Sequence, residues 1–190
     1  MKKILIISGS PQKTGNTAAL IEWFCESVDS RAAATEIVNA ANLDGKPGCI
    51  SCRVCQKKDA YGCVLKDEVA LTVNKMITAD IIIMATPLFF FSASAQIKRV
   101  FDRMFSLYKW DNDARTMKTV LKGKTFGVLA SAYEDIGLDS LEQPFKLTAD
   151  YSAMRYASLL IPNAGVSGEI QKKPEVRERV RAFAKSVLAK

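Results

Sequence analysis

Four closely spaced cysteines are the residues of this sequence whose chemistry is easiest to recognise. Their spacing is Cys-x2-Cys-x2-Cys-x7-Cys, and they are Cys49, Cys52, Cys55 and Cys63. Thiolates at this density can ligate an iron–sulfur cluster. Zinc is the weaker hypothesis, because zinc knuckles usually come as two Cys-x2-Cys pairs that a longer span separates. Free, redox-active thiols are the third interpretation, and the spacing leaves all of them open.

A glycine-containing loop at residues 9–15 lies between an apolar run and a helical stretch. A strand, a loop and a helix start in this order present free backbone N–H groups and the positive end of a helix dipole to an anion. Short polar side chains that can donate to phosphate oxygens are Ser10, Thr14, Asn16 and Thr17. Lys13 adds positive charge. The alternative is an ordinary tight turn, although such turns are usually shorter and carry fewer donors.

Two better-known phosphate motifs do not match this loop. A P-loop requires G-x-x-x-x-G-K-[ST], whereas five residues separate Gly9 from Gly15 here and Asn16 stands at the lysine position. Because that lysine is the group that reaches a γ-phosphate, the sequence argues against NTP hydrolysis. The dinucleotide fingerprint G-x-G-x-x-G is also missing from the loop.

Residues 9–17 read Gly-Ser-Pro-Gln-Lys-Thr-Gly-Asn-Thr. This segment resembles the phosphate loop of the NADPH-dependent FMN reductase family, a family of flavodoxin-like flavoproteins. The family usually has Gly-Ser-Pro-Arg-x-x-Gly-Asn-Thr, so Gln12 replaces an arginine here and Lys13 supplies a compensating charge. By this resemblance, the residues that bind the FMN phosphate are Ser10, Gln12, Thr14, Gly15, Asn16 and Thr17.

A second loop, at residues 87–92, resembles the family's Ser/Thr-Pro-x-Tyr/Phe loop, which precedes a helix with lysine and Asp-Arg. That helix here supplies Lys98, Asp102 and Arg103. The resemblance implies that the loop lines the flat isoalloxazine ring of FMN, a ligand that favours apolar walls with a few fixed donors. The residues assigned to the ring are Pro87, Leu88, Phe89 and Phe90, with Ser131 and Tyr133 from the loop after the fourth strand.

Three consecutive phenylalanines, Phe89 to Phe91, cannot all point the same way in an extended loop. One or two of them are expected in the core, and Phe89 or Phe90 is expected at the flavin. Tyr133 is as compatible with a surface position as with a place at the ring.

Strands and helices alternate along the chain and would position these loops. The predicted strands are 3–8, 35–40, 80–86, 125–131 and 159–161. The predicted helices are one that begins at Asn16 and those at 69–79, 93–108, 139–157 and 174–189. This pattern predicts one α/β domain over residues 1–190, with a doubly wound parallel sheet, helices on both faces and a cysteine-rich insertion at about 41–66. The flavodoxin-like strand order would be 2-1-3-4-5, with the ligand beyond the carboxyl ends of the strands.

Composition narrows the function classes. The chain has 190 residues, of which 48% are hydrophobic and 25% charged, as in a soluble globular protein. The net charge of +7 favours acidic partners, but without a groove-reading motif it does not indicate nucleic-acid binding. The sequence has no histidine, which excludes histidine catalysis and ligation. The apolar runs are too short for a signal peptide or a membrane span, so we expect a cytoplasmic protein without a membrane partner.

The resemblance implies an FMN-dependent oxidoreductase with NAD(P)H as co-substrate and a small-molecule or protein electron acceptor. No catalytic side chain is assigned, since the cofactor carries the chemistry. The cysteine spacing is similar to the compact motif of iron–sulfur flavoproteins, a branch of the family with a 4Fe–4S cluster near FMN. Many family members carry similar cysteines without an established cluster. A homo-oligomer, dimer or tetramer, is also expected, with Tyr108 and Trp110 as candidate interface or locally packed aromatics.

Two other functions are compatible with the same fold. A non-enzymatic, flavodoxin-like electron carrier is the main alternative, although such carriers are typically acidic and this chain has a net charge of +7. A redox or metal sensor that binds no flavin is the other alternative.

Overall fold

The computed structural model describes residues 1–111 and 114–189. The strands in chain order are β1 (Lys2–Ser8), β2 (Ala33–Asn39), β3 (Ile81–Phe89), β4 (Ser92–Ala93), β5 (Tyr108–Asp111), β6 (Thr116–Thr119), β7 (Thr125–Ser131) and β8 (Arg155–Ile161). Five of them pair in parallel in the order β2-β1-β3-β7-β8. Counted along the chain, these strands have the order 2-1-3-4-5, so the flavodoxin-like α/β prediction is confirmed.

Helices cover both faces of the sheet. They are α1 (Asn16–Glu26), α2 (Glu68–Lys75), α3 (Ala95–Arg103), α4 (Leu138–Tyr151) and α5 (Pro174–Leu188). Short 3-10 turns occur at Ala40–Asn42, Val54–Lys57, Met104–Leu107 and Glu169–Lys172. Within the described parts of the chain, every helix is too short or too polar to cross a membrane.

The central strands are buried on both sides, as their continuous apolar sequences predict. Alternate side chains of β1 enter different cores: Leu5 and Ile7 pack with residues of α2, α3 and α4, whereas Ile4 and Ile6 pack with residues of α1 and α5. This alternation follows from the two-residue period of a strand. The strand therefore carries the loop at its carboxyl end on a support that is packed from both faces.

The second loop is a β-hairpin rather than the irregular loop expected at residues 87–92. β3 continues past the predicted end at residue 86, since Pro87 still lies opposite Ser131 of β7. The chain then turns back, and β4 pairs antiparallel with the end of β3. This end of β3 is not recognisable in the sequence, because a proline and three phenylalanines occur there without any alternation of polar and apolar residues.

Two predicted helices end too late. The helix expected at 93–108 ends at Arg103, and the polar connector after it contains a second hairpin formed by β5 and β6. The helix expected at 139–157 ends at Tyr151, and β8 begins at Arg155, whereas the prediction placed this strand at 159–161. Pairing with β7 along the whole of β8 overrides the local helical preference.

The cysteine-bearing segment, residues 43–66, is fastened to the helices that flank it by a buried ion pair. Arg103 at the end of α3 donates to both carboxylate oxygens of Asp67, at 2.6 and 2.9 Å. Asp67 also caps α2, since its Oδ1 accepts a hydrogen bond from the Ala70 backbone N–H at 2.9 Å. The Arg103 hydrogen bonds lower the pKa of the Asp67 carboxyl from 3.8 to about 2, against the opposing effect of burial.

This pair makes stability pH-dependent in a defined window. Because the folded pKa of Asp67 lies below the unfolded value, its contribution is complete above about pH 4 and is lost as the pH falls toward 2. The loss is expected to be about 2 kcal/mol. Urea unfolding of the wild type and of Asp67→Asn at several pH values between 6 and 2.5 measures it. The variant should be less stable at pH 6 and show a shallower acid dependence; parallel curves would contradict the assignment.

Candidate functional site

The carboxyl ends of β1, β3 and β7 open into a cleft of about 280 Å³. Parallel register brings these ends together, since Ser8 pairs with Ala85 and Pro87 pairs with Ser131. The cleft lies where the chain connections run to opposite sides of β1, the position at which open α/β sheets bind ligands.

Most of the predicted site residues line this cleft. The first loop contributes Ser10, Gln12, Asn16 and Thr17, the second Pro87, Leu88 and Phe89, and the third Ser131 and Tyr133. The predicted residues outside its lining are Thr14, Gly15 and Phe90. Sequence reasoning missed a fourth wall, residues 165–167, which follows β8. Its position after the last strand of the sheet was the signal that could have identified it, because all parallel strands end at the same edge.

The first loop leaves the start of α1 open. Gly15 occupies the N-cap position, and among residues 1–111 and 114–189 no side chain caps this helix. Ser10 is buried and bonds within the loop, since its hydroxyl donates to the Gln12 carbonyl and accepts from the Gln12 N–H, both at 3.2 Å. The first-turn amides of a helix need partners, so the open end of α1 is suited to an anion.

Asn16 connects the first loop to the fourth wall. Its Nδ2 donates to the backbone carbonyls of Ala164, Gly165 and Val166 at 3.1–3.2 Å. A second contact closes the same gap, because the Ser167 hydroxyl donates to Gln12 Oε1 at 2.7 Å. Asn16 and Gln12 thus connect the first loop to residues 164–167. Whether they also contact a phosphate stays a prediction.

The hairpin of β3 and β4 forms the apolar wall. Its two turn residues, Phe90 and Phe91, have left-handed backbones with φ of 45° and 61°, as a two-residue hairpin turn requires. The exposed fractions are 47% for Phe89, 98% for Phe90 and 54% for Phe91. The expectation that one or two of these rings belong to the core is therefore wrong, because the tight turn holds them outside. Only Phe89 of the three rings lines the cleft.

Short contacts hold the hairpin against the first loop. The Ser94 hydroxyl, at the N-cap of α3, donates to the Gly9 carbonyl at 2.6 Å. A Cβ at Gly9 would lie 2.6 Å from Ser94 Oγ and 2.7 Å from Ile97 Cβ, so only glycine permits this approach. Thr86 Oγ1 accepts from the Ser94 N–H at 3.1 Å and donates to the Pro87 carbonyl at 2.9 Å. These contacts join the two walls of the cleft directly.

All four clustered cysteines line a second, smaller cavity of about 20 Å³. Cys49 and Cys52 are exposed, Cys63 is half-buried and Cys55 is buried, and each has a free thiol. Burial raises the pKa of the Cys55 thiol. Four thiols are chemically suitable ligands for an iron–sulfur cluster. The cavity holds little more than one water, and within the described residues no group of three or more histidine, cysteine or acidic side chains is placed to hold a metal ion.

The hairpin of β5 and β6 packs over the cysteine segment. Gln56 Nε2 donates to the Tyr108 carbonyl at 2.9 Å, and Lys109 Nζ donates to the carbonyls of Cys55 and Lys58. Tyr108 is buried and its hydroxyl bonds to Ser152 Oγ at 2.6 Å, so it is a locally packed aromatic and not an interface residue. Trp110 is partly exposed and stacks on Phe105 with ring centroids 4.8 Å apart.

Comparisons with known proteins agree with this geometry. The chain is 36% identical to the iron–sulfur flavoprotein of Methanocaldococcus jannaschii over 101 residues, which are 53% of this chain and 51% of the relative. An iron–sulfur flavoprotein of Methanosarcina thermophila is 37% identical over 101 residues, with 53% and 51% covered. The chain spans about half the length of these curated relatives.

Solved structures share the fold. An FMN-dependent NADH-azoreductase from Bacillus anthracis in complex with FMN superposes with a TM-score of 0.71 at 17% identity, covering 99% of this chain and 100% of that one. An NAD(P)H:quinone oxidoreductase from Methanothermobacter marburgensis gives 0.70 at 15% identity, with 98% and 96% covered. At these identities the likeness establishes the architecture.

The sequence pattern of one family extends across the sheet. The pattern of the NADPH-dependent FMN reductase family matches residues 2–162. This range runs from the first residue of β1 to the residue after β8. The matched region includes the first loop, the β3–β4 hairpin and the cysteine segment. The chain therefore belongs to the NADPH-dependent FMN reductase family.

Proposed function

We propose that the protein is an FMN-dependent NAD(P)H oxidoreductase. The observation that carries the proposal is a single cleft with an uncapped helix N-terminus at one side and an aromatic hairpin at the other. A mononucleotide with a flat ring has these two chemistries at its two ends. Membership in the family and the fold shared with an FMN-bound azoreductase support the assignment.

The phosphate end of FMN is assigned to the first loop. The backbone N–H groups at the start of α1 would donate to its oxygens, with the hydroxyls of Ser10, Thr14 and Thr17 beside them. Gly15 lets the chain approach closely, since a Cβ there would lie 2.9 Å from Gln12 Oε1 and from Ser167 Oγ. Gln12 and Asn16 contribute by holding residues 164–167 against the loop.

The ring end is assigned to the second and third loops. Pro87, Leu88 and Phe89 form the apolar wall, and Ser131 and Tyr133 line the cleft beside it. Phe90 is assigned here by the resemblance, at the exposed tip of the same turn. FMN, when bound, supplies the hydride and electron transfer, and this chain's residues position the ring and exclude water from one of its faces. NAD(P)H and a small-molecule or protein acceptor would then use the open side.

We further propose that the four clustered cysteines hold a 4Fe–4S cluster. Identity with iron–sulfur flavoproteins supports this, as does the convergence of all four thiols on one cavity. Cys49, Cys52, Cys55 and Cys63 would be the ligands, and the cluster would supply one-electron chemistry. The alternatives are that the same cysteines bind zinc or remain free thiols.

We also propose that the protein forms a homo-oligomer, a dimer or a tetramer, and that it is cytoplasmic. Large apolar side chains of the cleft loops and of the residues next to these loops are exposed, among them Phe90, Phe91, Tyr133, Ile136 and Val166. A cluster of exposed apolar residues of this kind is typical of an interaction site.

Replacing one of two neighbouring phenylalanines tests the cleft. Phe89→Ala is expected to weaken FMN binding about fivefold, because it removes an aromatic contact with the ring that is worth about 1 kcal/mol. Phe91→Ala is the matched control: Phe91 lies outside the cleft, over Gly137. Titration of flavin fluorescence measures both affinities. Equal affinity of wild type and Phe89→Ala would contradict the placement of the ring.

Turnover distinguishes an enzyme from a carrier. FMN-loaded protein is expected to oxidise NADH or NADPH in the presence of a quinone, free flavin or ferric acceptor, followed by the loss of nicotinamide absorbance. The same protein stripped of FMN is the control and should be inactive. Absence of turnover with every acceptor would overturn the enzymatic proposal and favour the electron carrier.

Iron analysis tests the cysteine site. Protein purified without oxygen is expected to contain about four iron and four sulfide per chain. Cys55→Ser should lose most of this iron, whereas Cys25→Ser should retain it, since Cys25 lies in α1, outside the cysteine cavity. Flavin bands without iron would reject the cluster, and bound zinc would identify the alternative.

A further inference from the structure

Arg103 is a fully buried charged residue in the wall of the cysteine cavity. Its side chain is 1% exposed, and it ends α3 directly beside the cysteine segment. An arginine in this position requires partners for its N–H groups, because an unpaired buried charge is strongly destabilising.

Most of these partners belong to the cysteine segment or its boundary. Arg103 Nε donates to the Gly48 carbonyl at 3.0 Å, and Nη2 donates to the Lys46 carbonyl at 2.8 Å. Nη1 and Nη2 also form the two bonds to Asp67 described above. The planar fork thus joins three separate points of the chain, at Lys46, Gly48 and Asp67, and a lysine could not reproduce this pattern.

The ion pair is oriented with its positive end toward the thiols. Arg103 lines the cavity together with all four cysteines, and Asp67 does not. An arginine guanidinium stays protonated in proteins, and the two bonds to Asp67 hold it in place. A fixed cation therefore faces the side on which a cysteine-bound group would lie.

We propose that Arg103 is a positioning residue for the cysteine site, which holds residues 45–66 against α3 and places a fixed positive charge beside the bound group. This proposal rests on the cluster proposed above in its second part only. A cluster with four thiolate ligands becomes more negative when it accepts an electron, so a nearby cation stabilises the reduced form and raises the reduction potential. Asp67 reduces this effect from its more distant position but does not cancel it.

Arg99 provides a matched control for Arg103. It lies one turn earlier on α3 and donates to the carbonyls of Ala40 and Leu43, just before the cysteines. It does not line the cysteine cavity. A variant at Arg99 therefore removes a neighbouring arginine of α3 whose partners precede residues 45–66, and it removes no charge from the cavity wall.

The experiment compares Arg103→Gln/Asp67→Asn with Arg99→Gln in the full-length protein purified without oxygen. The double variant replaces the ion pair by two neutral amides, so no unpaired charge remains. Arg103→Lys is the second variant, which keeps the charge and loses the fork, and it also serves if the double variant does not fold. Hydrogen exchange of the backbone amides of residues 45–66 and an EPR-monitored redox titration of the cluster are the readouts.

The double variant should exchange at least tenfold faster at residues 45–66, with α1 and α5 unchanged. Its cluster potential should fall by about 59 mV, which is a tenfold change in the ratio of oxidised to reduced cluster. Arg103→Lys should speed the exchange and keep the potential closer to wild type than the double variant does. Arg99→Gln should change neither the exchange of residues 45–66 nor the potential by a comparable amount.

Two results would overturn the proposal. Wild-type exchange in both Arg103 variants would reject the positioning role, and an unchanged potential in the double variant would reject the role of the charge. Wild-type protein without iron would instead reject the cluster itself and with it the role of the charge. Hydrogen exchange would still decide the positioning role in that case, so the two failures are distinguishable.

Discussion

The parallel pairing of β1 with β3 is the constraint on which the rest of the site depends. It places the ends of these strands side by side, with Ser8 opposite Ala85, and sends their following loops to the same edge of the sheet. The Gly9 carbonyl then lies within 2.6 Å of the Ser94 hydroxyl. The first loop and the aromatic hairpin are separate in sequence, and this contact joins them as adjacent walls of one cleft.

Helix α3 links the two candidate redox sites. Its N-cap, Ser94, touches the first loop, and its last residue, Arg103, lies in the wall of the cysteine cavity. Nine residues of α-helix span about 13 Å. One short helix therefore contacts the cleft at its N-terminus and the cysteine cavity at its C-terminus. Its length sets the distance between the two sites.

Sequence reasoning reached much of the cleft but not all of it. The loop after β1 and the residues from Pro87 to Phe89 carry side-chain types that match a phosphate and a flat ring, so they were recognisable from their chemistry. Residues 164–167 carry no such signal. They enter the site because Asn16 donates to the carbonyls of residues 164–166 and Ser167 donates to Gln12, in both cases across about 150 positions of the chain. Backbone acceptors have no sequence signature, which is why this wall was missed.

The sequence by itself determined the layer architecture, the strand order expected from alternating elements, and the presence of four thiols within reach of one another. These properties follow from local periodicity and residue type. Only the tertiary structure decided that Phe90 and Phe91 lie outside the core, that the polar connector before β7 forms a hairpin, and that Arg103 is buried against Asp67. Each of these depends on which distant backbone group or side chain comes within contact distance, and local sequence does not encode that.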